Sequence, residues 1–460
     1  MMSVNQSIAP DSAAVVGFGR AGQAMAGYLH GCGAAVRVSD LRSYDELGEA
    51  EQALLAEYGA DFEGGGHSEE FLAGAELVVV SPGVDCRHPA LVQAAKRGSM
   101  IAGELAVAAS EFSVPVVAVT GTNGKTTVTE LIGALLKAAG KKVFVGGNIG
   151  TPVGEYLSAK EDYEIVVLEV SSFQLELCGD FTPEVGIVLN ITPDHLDRHG
   201  SLDQYAAAKM NMFKPGADTR GVINGEDEWC QRFPERVADM NWARFGHDTD
   251  NDAAIDGSRI VMRNGQTYEL GGSALDNLSG RLNAGAALLG VSPFDLDPSS
   301  VQQALMEFKP GAHRLQEVGC IEGVVYINDS KATNTGAVIN AIEQLGDGII
   351  LIAGGRDKGD DYRLLRPSVA SHVKRLILIG EAASAIGTLL GDLAPVDYSD
   401  SLENAVVQAA SVGEPGDTVL LAPACASFDM FDNYLQRGDC FAEAVRALRK
   451  VPGAGPEAVQ

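Results

Sequence analysis

The residues best suited to chemistry are Thr120-Gly-Thr-Asn-Gly-Lys-Thr-Thr127, set between an apolar run ending at Val119 and a helical stretch. Gly121 and Gly124 let backbone N–H groups of Gly121, Thr122, Asn123 and Gly124 close around phosphate oxygens. Lys125 supplies a positive charge to the β/γ-phosphates, and the hydroxyl of Thr126, next to Thr127, suits a Mg²⁺ ion. A generic P-loop would carry glycine where Val119 stands, so the segment is a variant of that loop.

A second signal is Gly17-Phe-Gly-Arg-Ala-Gly22, a G-x-G-x-x-G after an apolar run, with Asp40 closing the next one. Alone it reads as a dinucleotide fold for NAD or FAD. The same fold can hold a UDP group, the diphosphate near the glycines and the uridine near Asp40 or Arg42. Glu169 ends the apolar run Ile165 to Val170, where a buried carboxylate is costly unless it is paired or meets a cation. A strand-end acid facing a P-loop suits Mg²⁺. After the next run comes Asn190-Ile-Thr-Pro-Asp-His-Leu-Asp-Arg-His-Gly200, and His195 in that company is expected at a site.

The elements that must position these groups follow from the apolar pattern. Runs at Ala13–Phe18, Ala35–Val38 and Leu77–Val80 alternate with Ala- and Leu-rich stretches, the rhythm of a parallel sheet under helices. It restarts at Val114; Val128, Leu131, Ile132, Leu135 and Leu136 then form one helical face. Residues 248–272 turn polar and Gly-rich, suggesting small antiparallel strands. A third α/β unit is expected from Lys309, with strands near Gly323–Asn328, Gly348–Ala353, Arg375–Ile379 and Thr418–Ala422. A chain of 460 residues fits roughly three domains at about 150 residues each. The fold class expected is α/β: a Rossmann-like domain at 1–104, a P-loop ATPase-like domain at 105–310 and a second Rossmann-like domain at 311–460.

Charge and cysteines set bounds. A formal charge of -28 disfavours nucleic acid as a general partner, because phosphate is repelled. Anionic ligands then need local devices. Seven scattered cysteines without C-x-x-C spacing read as reduced, mostly buried thiols in a cytoplasmic protein. The first residues, MMSVNQSIAPDS, lack the pattern of a signal peptide, no run is apolar enough to span a membrane, and the tail from Val451 reads as frayed.

Together these segments resemble the Mur ligases over nearly the whole chain. The family P-loop, T-G-T-N-G-K-T, has no first glycine, which accounts for Val119. Further matches are Glu169 with Ser171, Asp194-His195, Gly311-Ala-His-Arg314, Asn328-Asp-Ser-Lys-Ala-Thr-Asn334 and Ala353-Gly-Gly-Arg-Asp-Lys358. Ala422-Pro-Ala-Cys-Ala-Ser-Phe-Asp-Met-Phe-Asp-Asn-Tyr434 is closest to the glutamate-adding branch. One departure is Ser279-Gly-Arg-Leu-Asn283, where the family usually has His-Asn ahead of its second asparagine.

The resemblance implies an ATP-dependent ligase that adds D-glutamate to UDP-N-acetylmuramoyl-L-alanine through an acyl phosphate, in cell-wall precursor synthesis. L-Glutamate or another amino acid is the alternative within the family, and an NAD-binding oxidoreductase the alternative outside it. The resemblance places Asn283, Arg314, Asp329 and Lys331 around ATP. It places Arg20, Ala21, Asp40, Leu41, Arg42, Ser81, Pro82, Gly83, Asn148 and Ser171 at the UDP substrate. Thr333, Lys358, Ser427, Phe428 and Tyr434 would receive glutamate. Thr126, Glu169, His195 and a carbamylated Lys209 would hold two Mg²⁺ ions, although Lys209 by itself reads as an ordinary surface lysine. Catalysis would rest on Lys125, Glu169, His195 and Lys209, in a monomer.

Overall fold

The computed structural model describes residues 10–448 except 160 and 238. Residues 1–9 of the segment read as lacking a signal-peptide pattern, and the tail from Val451 expected to be frayed, lie outside the described residues.

Three sheets carry the chain. The first is wholly parallel, in the order Asp61–Glu63, Ala35–Ser39, Ser12–Val16, Leu77–Val80, Met100–Ala102. Its strand order reverses at Ser12–Val16, and a ligand crevice is expected beyond the carboxyl ends of strands at such a point. The helix Arg20–Gly31 starts there. A Cβ on Gly22 would lie 1.9 Å from the Gly17 oxygen, so only glycine lets this helix begin so close to the strand.

In the second sheet the P-loop strand Val116–Thr120 lies between Val185–Val188 and Ile165–Glu169, with Val143–Gly147 at the edge. On the other side follow Arg220–Asn224, Asn241–Gly246 and Ala253–Asp256, then antiparallel Arg259–Met262 and Thr267–Glu269. The polar 248–272 stretch thus forms the small antiparallel strands expected of it. Every residue of Val116–Thr120 and Ile165–Glu169 is buried, as parallel strands covered on both faces require. The helix Lys125–Ala138 covers one face through Val128, Leu131, Ile132, Leu135 and Leu136, the stripe read from sequence.

The third sheet pairs Gln316–Ile321 antiparallel with Val324–Asn328, followed in parallel by Thr418–Leu421, Ile349–Gly354, Val373–Ile379 and Val396–Tyr398. By contacts the chain forms two compact units: the chain through Ile191 with Arg198–Phe308, and Thr192–Asp197 with the chain from Lys309 onward. Among the described residues no helix is long and apolar enough to cross a membrane.

The seven cysteines are unpaired thiols, but the expectation that most are buried fails. Cys178, Cys230 and Cys425 are buried, whereas Cys32 and Cys320 are exposed and Cys86 and Cys440 lie between. Cys32 caps the end of its helix and Cys320 sits on the outermost strand of its sheet, positions that the apolar pattern does not mark.

Candidate active site

In the first unit, the loop Gly121–Gly124 joins a fully buried strand to the helix Lys125–Ala138. Gly124 takes a left-handed conformation, φ 84°, and lends the helix start no side-chain cap. Helix starts of this kind bind anions through their first N–H groups. A Cβ on Gly124 would stand 2.7 Å from Asn283 Oδ1, so Asn283, on the helix Leu278–Val291, lies against the loop. Lys125 folds back over the loop, its Nζ donating to the Gly121 oxygen at 2.9 Å and the Thr122 oxygen at 2.7 Å. Thr127 is buried in the first turn of the same helix.

Sequence reading missed the residue that fixes this loop. Asn190 Oδ1 accepts the Asn123 N–H at 2.8 Å, and its Nδ2 donates to the Asn123 oxygen at 3.0 Å. Its own carbonyl takes the Thr122 N–H at 2.9 Å. The signal was its place just beyond the strand beside the P-loop strand.

Sheet register sets Glu169 beside Val119 on one side and Gly147 on the other. Its carboxylate is buried and accepts two bonds, from Thr126 Oγ1 at 2.5 Å and Asn148 Nδ2 at 2.7 Å. The pairing that a buried strand-end acid demands is therefore met from the P-loop helix and from the turn after Val143–Gly147.

Lys209 is not the surface lysine that its isolated context suggests, since its side chain is buried. The ammonium donates to the Gly121 oxygen at 3.0 Å and stands 4.3 Å from the Tyr205 ring centre. Tyr205 in turn brings its hydroxyl to 3.3 Å from Thr122 Oγ1. Among the described residues no three His, Cys, Asp or Glu side chains gather as a metal site. Oxygens of other types, such as Thr126 Oγ1 beside Glu169, would have to complete one.

Around the Gly-rich turn, Asp40 Oδ2 accepts the Phe18 N–H at 2.6 Å, and Oδ1 accepts from the Arg42 N–H and Nε. Burial alone would raise the Asp40 pKa, but the bonds from Arg42 and Phe18 outweigh it and hold it below the ordinary value. Arg20, beside Ala21 at the helix start, donates to the Gly150 oxygen at 2.8 Å. Ser81, preceding Pro82 and Gly83, donates to the Gly17 oxygen at 2.7 Å, and Leu41 is 72% exposed. Ser171 caps the helix Ser172–Glu176 through Gln174, whose Nε2 reaches the buried Glu104 at 2.6 Å. Burial raises the Glu104 pKa, and neither Glu104 nor Gln174 was marked by the sequence.

In the second unit, Asp329 follows the strand Val324–Asn328 and accepts the Leu315 N–H at 3.2 Å. Burial pushes its carboxyl up to about 7, against that bond and the charge of Arg314. Lys331 lies 4.0 Å from the Tyr434 ring centre, and Thr333 precedes Asn334, the cap of the helix Thr335–Leu345. Asp194 accepts from Lys358 Nζ at 3.4 Å and Asn334 Nδ2 at 3.2 Å. His195 has a left-handed backbone, φ 55°, and donates its N–H to Asp194 Oδ1 at 3.0 Å. Ser427 is buried while Phe428 is 63% exposed.

A buried guanidinium, also unmarked by the sequence, ties these loops together. Arg437 donates from Nε to Ser330 Oγ at 3.0 Å, from Nη2 to the Ser330 oxygen at 2.9 Å and from Nη1 to the Cys425 oxygen at 3.1 Å. Desolvation lowers its pKa to about 10, so it keeps its charge at neutral pH.

Comparison with known proteins agrees with this layout. Residues 11–103 match the family model "Mur ligase MurD-like, N-terminal domain", 119–284 the "Mur ligase middle domain" and 313–425 the "Mur ligase, glutamate ligase domain". A UDP-N-acetylmuramoylalanine–D-glutamate ligase of Desulfotalea psychrophila is 46% identical over 442 residues, covering 95% of this chain and 96% of the relative. One of the same name from Koribacter versatilis is 40% identical, covering 94% and 97%. Among solved structures, a pseudomurein peptide ligase type C of Methanothermus fervidus superposes with a TM-score of 0.60 at 18% identity, covering 95% of this chain and 100% of that one. A UDP-N-acetylmuramate-alanine ligase of Thermotoga maritima gives 0.59 at 20% identity, covering 95% and 99%. The two structures speak for the fold. With three family domains in order and relatives alike over nearly its full length, the chain belongs to the Mur ligase family of ATP-dependent, amide-bond-forming ligases.

Proposed function

We propose that this chain joins D-glutamate to UDP-N-acetylmuramoyl-L-alanine, with ATP as the energy source, in peptidoglycan precursor synthesis. The observation that carries the reading is the 46% identity, across 95% of the chain, to a relative bearing that name. The role assignments follow the family resemblance, residue by residue. The domain limits 1–104, 105–310 and 311–460 belong to the same proposal, as do a cytoplasmic location, a part in cell shape and division, and a monomeric state.

The substrate carboxylate attacks the γ-phosphorus of ATP, and ADP leaves. The glutamate amine then adds to the acyl carbon of the mixed anhydride; phosphate departs with the bonding pair, and the ammonium proton is lost to water or a nearby base. Both steps build charge on oxygen, so positioning and electrostatics do most of the work. Gly121 to Thr127, with Lys125 anchored over the loop, bind the triphosphate. Asn283 is assigned to the adenine, and Arg314, Asp329 and Lys331 to ATP.

Thr126 and Glu169 would hold Mg²⁺, which supplies charge neutralisation when bound. The fit lies in their oxygens, 2.5 Å apart on the P-loop helix and the neighbouring strand end. A carbamate on Lys209, formed from carbon dioxide with loss of one Nζ proton, would serve with His195 as a ligand to a second ion. The burial of Lys209 beside the P-loop, with Nζ 3.0 Å from the Gly121 oxygen, supports the assignment.

Arg20, Ala21, Asp40, Leu41, Arg42 and Ser81 to Gly83 contact UDP, and Asn148 and Ser171 face the substrate from the middle domain. Lys358 pairs with one carboxylate of glutamate, Thr333 and Ser427 donate hydrogen bonds, and Phe428 and Tyr434 line the pocket. Incubation with ATP, Mg²⁺, the UDP-sugar and D-glutamate tests the reading by mass spectrometry. The product should be heavier by one glutamyl residue; an unchanged UDP-sugar with active enzyme would contradict it.

A further inference from the structure

We propose that Tyr362 is a positioning residue for the amino-acid pocket, fixing the turn that carries Lys358 against the loop that carries Ser427 and so setting the affinity for the incoming amino acid. The inference rests on the glutamate-ligase reading above.

Tyr362 opens the short turn Tyr362–Leu365 and is 3% exposed. Its hydroxyl donates to Asp357 Oδ1 at 2.9 Å and lies 3.2 Å from Cys425 Sγ. Asp357 immediately precedes Lys358, and Cys425 stands two residues before Ser427. The same Asp357 oxygen accepts the Gly359 N–H at 2.9 Å, so one carboxylate closes a turn around Lys358. The phenol is what anchors that carboxylate to the body of the unit.

The direction of the chain follows from proton counting. Burial raises the phenol pKa far above its ordinary value and the Cys425 thiol to about 12, so both keep their hydrogens at neutral pH. The single phenolic hydrogen goes to the carboxylate. The thiol hydrogen then goes to the phenol oxygen, giving a directed relay from Cys425 through Tyr362 to Asp357.

Main-chain bonds pair the same two loops independently, Arg356 N–H to the Ala426 oxygen at 2.9 Å and Gly354 N–H to the Pro423 oxygen at 2.8 Å. Removing the phenol oxygen therefore leaves the loops paired. What it releases is the tip of the turn, where Lys358 sits.

The experiment is full steady-state kinetics on Tyr362→Phe, with D-glutamate, ATP and the UDP-sugar varied in turn and thermal unfolding followed alongside. The KM for glutamate should rise about tenfold, the size of effect that supporting hydrogen bonds have on the ligands they orient. The KM values for ATP and the UDP-sugar should stay within about twofold. An unchanged glutamate KM, or three constants rising together with a lower Tm, overturns the proposal. Should Tyr362→Phe not fold, Cys425→Ala should raise the glutamate KM and Cys425→Ser, which keeps a donor, should bring it back toward wild type; equal constants for the two overturn it. Wild-type enzyme that releases no phosphate with glutamate sinks the ligase reading and this inference with it, whereas active wild type with an indifferent Phe variant sinks the inference alone.

Discussion

Thr126 Oγ1 and Glu169 Oε2 lie 2.5 Å apart, one on the first turn of the P-loop helix and the other at the end of the adjoining parallel strand. The second carboxylate oxygen is held by Asn148 Nδ2 at 2.7 Å, so the acid is fixed in orientation before any ligand arrives.

This pair predicts a metal phenotype. Glu169→Gln keeps the bond to the Thr126 hydroxyl but removes the charge that attracts a cation. The Mg²⁺ concentration for half-maximal turnover should rise by at least about tenfold, in keeping with loss of a charged ligand. A titration with the wild-type midpoint would remove Glu169 from the metal site.

Lys209 gives a second test. Lys209→Ala should be nearly inactive, with partial recovery in millimolar short carboxylic acids that enter the vacated space. Mass spectrometry of the native protein under carbon dioxide should find the carbamate on wild type and not on the variant. Full activity for the Ala variant would exclude a ligand role.

Asp329 predicts a pH effect on stability. Its carboxyl, ordinarily near 3.9, is raised to about 7 by burial, so between about 4 and 7 the folded state holds a proton that the unfolded state has lost. Its contribution to stability is fully present below about 4 and declines as pH rises through about 7. Asp329→Asn, which cannot ionise, should therefore raise the Tm of the ligand-free protein at pH 8 and lose that advantage by pH 4 to 5. Equal gains at both pH values would mean that ionisation is not the cause.

Lys358 should govern one substrate. Lys358→Ala should raise the KM for glutamate by about tenfold or more, since a hydrogen bond to a charged group contributes roughly 1.5 to 3 kcal/mol. The KM for the UDP-sugar should move far less. Two constants rising equally would assign Lys358 to a structural element, a role that its 3.4 Å contact with Asp194 could also serve.

What was legible in the sequence was local. The P-loop and the strand-end Glu169 are short contiguous signals, and apolar runs such as Leu77–Val80 and Ile165–Glu169 reappear as strands. Val143–Gly147, Arg220–Asn224 and Asn241–Gly246 were missed, because glycines and polar residues interrupt their apolar pattern. Lys209 was misread by itself, since its burial depends on docking against Gly121, 88 positions away. Arg437 and Gln174 have partners 107 and 70 positions distant, so no local pattern could mark them as supports.

In the proposed reaction this chain forms an amide bond to D-glutamate and couples it to ATP cleavage. Phosphate release measured with UDP-N-acetylmuramoyl-L-alanine, ATP and Mg²⁺, against a panel of D-glutamate, L-glutamate, L-alanine and a diamino acid, tests it most directly. Release should depend on the UDP-sugar and be strongest with D-glutamate, one phosphate for each glutamyl residue joined. Release that ignores the amino acid, or prefers L-alanine or the diamino acid, would contradict it.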